Sequence, residues 1–407
     1  MTLDDTLSEE LRILRHSVRE LVRDKVAPRA WQIDQDRDYP EDVFAAFRDQ
    51  GLFALALPEN EGGTDAGTMG LAIAVEEVAR ACASSAQILI LSALVTWPMR
   101  LFGTDDMRQN YVHAVADGSK RGSFALTEPN ASSDLGSMVT RAEKDGPDYI
   151  LNGEKDFISG SPQADFFIVF AGAGDNADMR ESMTAFLVDV PQPGVIFLRR
   201  DEGMGLKGMP HCDWSFDNCR TPESHLIGGI GKGEEIARLS MNAIQPLLAA
   251  RGLGAAEEAL AFARDYANTR RIYGGLLADL QTTQLHLAEM AVNVEATRLL
   301  TYQAARMVDE DRFRDEVDAA YLNAAKLMSA RTAVHATDHA MQAVGGHAYM
   351  EVHPLERMYR DARHLGLYMG TSEVLSLRVA RSVLDGSLGY GPSVSRQSTE
   401  ERSRRQG

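Results

Sequence analysis

Residues 149–173 read YILNGEKDFISGSPQADFFIVFAGA. The runs YILNGEKDFIS and DFFIVFAGA, rich in aromatic and β-branched side chains and bounded by Gly, Asp, Asn and Pro, have the make-up of strands. SFALTE before them and MTAFLVDV after them are of the same kind, so the chain from Gly122 to about Pro222 is expected to be mainly β-sheet. FIVF and AFLV are short and wholly apolar, as in strands packed face to face inside a small barrel.

Outward from this block the hydrophobic period changes on both sides. From Leu7 to about Gly118 apolar residues return at helical spacing, with Leu11, Leu14, Val18, Leu21 and Val22 in one stripe and Val43, Phe44 and Phe47 in another. Pro58 to Gly70, with its four glycines, Asn60 and Asp65, is expected to be a loop. After Gly228 to Gly233 the helical period resumes in Ala-rich segments and holds to about Leu384. The expected fold class is therefore α+β: an N-terminal helical bundle over 1–121, a small β-barrel domain over 122–232 and an antiparallel four-helix bundle over 233–386. The polar tail, 387–407, lacks apolar periodicity and is expected to be disordered.

The chain has 407 residues, 44% hydrophobic and 25% charged, which suits a folded globular protein. Its net charge of -17 argues against a nucleic-acid binder, which needs a basic face. Cys82, Cys212 and Cys219 are too few for a disulfide framework or a four-ligand zinc site, so reduced thiols, a cytoplasmic location and no metal are expected. MTLDDTLSEE lacks the order of a secretory or organellar address. Ala86 to Val95, the most apolar early stretch, is about half the roughly 20 residues that a bilayer requires, so a buried helix and no membrane span are expected.

FALTEPNASSD, Phe124 to Asp134, and YILNGEKDFISGSPQAD, Tyr149 to Asp165, resemble two signatures of the acyl-CoA dehydrogenase family, the first differing at Ser132 where glycine is usual. The resemblance extends from about Leu7 to Leu384 and includes ERMYRDAR, Glu356 to Arg363. It implies an FAD flavoprotein acting on the α,β-bond of an acyl-CoA or other acyl thioester, with an electron-transfer flavoprotein as acceptor. By the same resemblance Phe124, Leu126, Thr127 and Ser133 meet the flavin, and Phe157, Ile158 and Ser159 lie against it. RRIYG, Arg270 to Gly274, resembles an Arg-x-x-Phe-Gly element whose arginine meets the FAD pyrophosphate of a neighbouring subunit, with Tyr273 at its aromatic position. A guanidinium suits that role because it offers paired donors to phosphate.

Gln281, then Gln342, Gly345 and Gly346 of QAVGGHAY, and Thr371 and Glu373 of GTSEVLSLRVAR complete the implied FAD contacts. Ser133, Asn242, Gln245, Tyr368 and Gly370 are the implied substrate contacts. A cofactor shared across an interface implies a homo-oligomer, a dimer or tetramer, or a heteromer with a related subunit.

The chain departs from the family where proton abstraction takes place. One branch carries its glutamate in Tyr-Glu-Gly-Thr, and here the order is Tyr368-Met369-Gly370-Thr371. Another branch places it on the first long helix of the last third, where this chain has Ile244 followed by Gln245. A thioether and an alkyl side chain cannot accept a proton. Asn242 and Gln245 also replace a usual aspartate and arginine. Glu234, Glu235, Glu257 and Glu258 lie too far along the helix, Glu373 is the ordinary glutamate of its motif, and His347 and His353 suit packing or surface roles. Gln87 and Thr96, on helices that line the acyl pocket in the family, are not bases. No catalytic residue is identified. The expected function is an FAD-dependent acyl-CoA oxidoreductase. The alternative is a base-less subunit sharing FAD in a heteromeric dehydrogenase, or a non-dehydrogenating reaction such as desulfination.

Overall fold

The computed structural model describes residues 7–174, 176 and 178–389. Three layers follow the changes in hydrophobic period. Ser8 caps α1 (Glu9–Leu21) by accepting from Leu11 N at 3.3 Å, with Glu9 and Glu10 in the first turn where the helix dipole favours them. α2 (Glu41–Asp49) buries Val43, Phe44 and Phe47, the stripe expected of it. The loop expected over Pro58 to Gly70 ends sooner, because α3 runs Gly67–Ala81. Its first amides are satisfied from elsewhere in the chain: the Asp309 carboxylate accepts from Thr68 N and Met69 N, and glycine lets it approach.

α4 (Ala83–Phe102) is twice the length of the apolar stretch read from the sequence. By length and composition it could cross a membrane, yet 72% of its apolar window is buried inside the fold. Packing against the neighbouring helices accounts for its apolar character.

The middle layer holds β1 (Gly122–Ala125), β2 (Arg141–Asp145), β3 (Asp148–Ser159), β4 (Phe166–Ala173), β5 (Met183–Asp189), β6 (Val195–Asp201), β7 (His211–Pro222) and β8 (Leu226–Ile227). Their pairing runs β6-β7-β3-β2-β4-β5-β8, with β1 parallel to β4. The expected barrel is thus an eight-stranded sheet with β6 and β8 at its ends among the described residues. Its own core gathers Tyr149, Leu151, Phe167, Val169, Phe186, Val188, Trp214 and Phe216.

The last layer is built from α5 (Gly233–Thr269), α6 (Gln281–Asp309), α7 (Glu316–Val344), α8 (Pro354–His364) and α9 (Ser372–Leu384). α5, α6 and α7 pack on one another, α3 packs on α5, and both helical layers share one apolar core. His353, expected in a packing or surface role, caps α8 by accepting from Leu355 N at 3.4 Å. Of the tail, Ser387 to Gly389 fold back on the end of α9, and 390–407 lie outside the described residues.

Candidate active site

The two sequence blocks that carry the resemblance meet across β1 and β3. Asp156 N donates to Thr127 O at 2.9 Å, and Lys155 Nζ donates to Leu126 O at 3.0 Å and to Glu128 at 2.8 Å. Glu128 also accepts from Val139 N at 2.6 Å and Thr140 N at 3.2 Å, which fixes both ends of the loop over 129–138. Burial holds the Lys155 ammonium down to about 8, and Lys155 and its neighbours keep the Glu128 carboxyl below its ordinary value. Both groups stay charged at neutral pH. Glu128→Ala would leave a buried cation unpaired, and chemical denaturation is expected to show a loss of about 3 kcal/mol.

Above this base lies a cavity of about 530 Å³ between the sheet and the C-terminal helices. Phe124, Leu126, Thr127, Ser133, Phe157, Ile158, Ser159, Tyr368, Gly370 and Thr371, all expected at the site, line it. Met369 lines it too. Phe157 has φ 58° and is 57% exposed, with its N–H donated to Asp213 Oδ1 at 3.0 Å. A strained aromatic held open on a cavity rimmed by hydroxyls fits the face and polar edge of a flavin ring. Thr371 caps α9 by accepting from Val374 N at 3.3 Å, so its hydroxyl sits where the helix N-terminus opens on the cavity.

A second set of expected contacts stands away from this cavity. Tyr273 is 91% exposed, and Arg270, Gln281, Gln342, Gly345, Gly346 and Glu373 are exposed as well. Gly345 has φ +79°, and a Cβ at Gly345 or Gly346 would meet nothing in this chain. These residues are not brought to the flavin-facing wall of their own subunit.

Asn242 and Gln245, expected at the substrate, are buried and do not line the cavity. Asn242 Nδ2 donates to Phe313 O at 3.2 Å and Gln245 Nε2 to Met369 O at 3.2 Å. Each amide NH₂ donates to a backbone carbonyl instead of facing the cavity. Ile244 is fully buried in the shared core. Thr96 is buried and donates to Ala93 O.

A polar cluster missed by the sequence reading forms one wall. Arg251, on α5 and 1% exposed, donates to Gln87 Oε1 and, at 3.0 Å, to His364 Nδ1. Gln87 Nε2 reaches the Tyr368 hydroxyl at 3.4 Å, and the His364 ring lies 4.7 Å from that of Tyr368. His211 sits opposite Ser159 in the β3–β7 register, with its ring 5.6 Å from His364. Both imidazoles line the cavity. Burial, then Arg251 and Arg200, press the His211 imidazole down to about 4, and burial, then Arg251 and His211, hold His364 well below its ordinary value. Both are neutral at physiological pH. His364 Nδ1 accepts from Arg251, so its proton is on Nε2, whereas the His211 ring makes no hydrogen bond among the described residues and keeps one ring nitrogen as a free acceptor.

Family models for the N-terminal, middle and C-terminal domains of acyl-CoA dehydrogenase match residues 8–119, 123–219 and 231–384. The chain is 33% identical over 379 residues to the mitochondrial short-chain specific acyl-CoA dehydrogenase of Rattus norvegicus, covering 93% of this chain and 91% of that one. It is 33% identical to acryloyl-CoA reductase (NADH) of Anaerotignum propionicum, covering 94% and 96% of the two chains. The butyryl-CoA dehydrogenase structure from Megasphaera elsdenii superposes with a TM-score of 0.89 at 31% identity, over 93% of this chain and 99% of that one. With three domains matched in order and a cavity that gathers both flavin-facing blocks, the chain belongs to the acyl-CoA dehydrogenase family of flavoprotein oxidoreductases.

Proposed function

We propose that this chain acts as an FAD-dependent oxidoreductase on the α,β-bond of an acyl-CoA thioester, with His211 exchanging the α-proton. The observation that carries this reading is the composition of one cavity wall. The glutamate positions of the family are Met369 and the core residue Ile244, while a neutral imidazole with no side-chain hydrogen bond among the described residues opens on the cavity that Tyr368 and Met369 also line. A base with a pKa near 4 has the strength of an ordinary carboxylate, so His211 is matched to the glutamate it would replace. Bound FAD supplies the two-electron acceptor that this chemistry needs. Ser133, Thr127 and Ser159 offer hydroxyls to the ring and the thioester, and Arg251 places a guanidinium behind the wall through Gln87 and the cavity-lining His364.

The test is anaerobic addition of acyl-CoA thioesters of graded chain length to FAD-loaded protein. Loss of the flavin band with at least one of them is expected. If none bleaches it, the alternative of a base-less partner subunit gains, which the relatives do not favour.

The exposed set around Arg270 supports FAD shared across a homo-oligomer, a dimer or tetramer, and membership of the family supports an electron-transfer flavoprotein as acceptor. Arg270→Ala is expected to weaken FAD binding by about 1.5–3 kcal/mol through loss of a charge-assisted phosphate contact. Equilibrium dialysis of FAD against the variant measures it, and unchanged affinity removes Arg270 from the site.

A further inference from the structure

We propose that Glu289, His335 and His339, with His286 beside them, bind a divalent transition metal ion of the zinc type between α6 and α7. No cysteine is involved, so counting thiols could not reveal such a site. His286 and Glu289 are spaced i,i+3 on α6, and His335 and His339 are spaced i,i+4 on α7, so each pair shares one helix face. The two faces meet. His335 Nε2 lies 3.3 Å from Glu289 Oε1, and His339 Nε2 lies 3.6 Å from Glu289 Oε2. The ligand atoms of all three residues fall within 4.8 Å of one another. Tetrahedral zinc with bonds of about 2.1 Å separates its ligand atoms by about 3.4 Å, so only small rotations are required. The His335 and His339 rings stack at 3.8 Å, and His286 stands edge-on to His339 at 4.8 Å as the nearest further imidazole.

The orientation of the donors suits a cation. His339 Nδ1 lies 3.0 Å from His335 O, and a carbonyl can only accept, so Nδ1 carries the proton and Nε2 presents its lone pair. That nitrogen faces Glu289 Oε2 at 3.6 Å, so an imidazole lone pair and a carboxylate oxygen are aimed at one point, the donor arrangement that a divalent ion takes. A ligating imidazole tied through its other nitrogen to a backbone carbonyl is the usual second shell of a metal histidine. Imidazole with one carboxylate suits zinc, cobalt, nickel or copper better than magnesium or calcium. Glu289 is exposed and the histidines are partly so, which leaves a route from solvent.

The site would clamp α6 to α7 near Gln281 and Gln342. His286 follows Gln281 by five residues, and His339 precedes Gln342 by three.

The experiment uses tag-free, FAD-loaded protein, stripped with a chelator and titrated with Zn²⁺ and with Co²⁺ at about pH 8, where free histidine is neutral. Calorimetry is expected to show one ion per chain and melting to show a chelator-reversible rise in Tm. His335→Gln and His339→Gln should each weaken binding at least about tenfold, the loss typical even of an outer-shell partner. Unchanged binding in the double variant, or a cluster that takes up no metal and is stabilised only by acid, overturns the proposal. Should a variant fail to fold, Co²⁺ on the wild-type protein decides. Ligand-field bands of a nitrogen-ligated tetrahedral ion support the site, and the spectrum of the aqueous ion overturns it.

Discussion

In His211→Asn, anaerobic flavin reduction by an acyl-CoA substrate is expected to slow by about 10²–10⁴-fold, the contribution of a positioned proton acceptor. Asparagine keeps a polar side chain of similar reach on β7, so the wall stays filled, but an amide cannot take the proton. The pH profile separates this from a structural effect. A proton acceptor works in its unprotonated form, so with the His211 imidazole held to about 4 the wild-type rate should be flat from neutral pH down to about pH 5. Asp156 is the competing group, since it also lines the cavity and burial, then Asp213, raises its carboxyl to about 6. A reaction through Asp156 would lose rate as pH falls through 6, and Asp156→Asn rather than His211→Asn would abolish it. A His211→Asn protein that retains FAD and the wild-type rate removes His211 from the reaction.

The fold was legible because its period changes twice. Leu11, Leu14 and Val18 announce a helix, FFIVFAGA announces a strand, and each lies where the change predicts. Half of the site was legible for a similar reason: Phe124 to Ser133 and Phe157 to Ser159 are contiguous segments whose function depends on local backbone. The rest depends on long-range register. His211 becomes interesting only when β7 is set beside β3 opposite Ser159, and Arg251 only when α5 is packed so that its guanidinium reaches both Gln87 and His364. No local feature of PHCDW or AARGLG shows this. Asn242 and Gln245 mark the opposite limit, because a family position fixes where a side chain starts but not which carbonyl it will bond once its charge is gone. The histidines of α6 and α7 stayed unseen for the same reason, as two ordinary helical spacings acquire meaning only where the helices touch.

Met369→Glu, placed in the His211→Asn background, is expected to recover most of the lost flavin reduction, again about 10²–10⁴-fold. Several features favour correct placement. Met369 already has φ 49°, and glutamate is no more strained there than methionine. Gly370 follows at φ +93°, where a Cβ would approach Leu375 Cδ2 to 2.9 Å, so the turn is fixed. Its backbone is clamped: Gln245 Nε2 holds the Met369 carbonyl at 3.2 Å, and Lys326 Nζ holds those of Tyr368 and Gly370 at 2.9 and 2.6 Å. Burial, then Arg251, holds the Lys326 ammonium down to about 7, and its bonds to the carbonyls on either side of Met369 hold the segment in place. A carboxylate base works in its ionised form, so recovery should hold at neutral pH and above and fall as pH drops into the carboxylate range. Ile244→Glu provides the contrast, because Ile244 lies in the shared core and a carboxylate there would be desolvated without a partner, so loss of fold rather than gain of rate is expected. If folded, FAD-loaded Met369→Glu/His211→Asn protein stays as slow as His211→Asn alone, then Met369 and His211 do not face the same substrate carbon and the assignment of the proton acceptor fails.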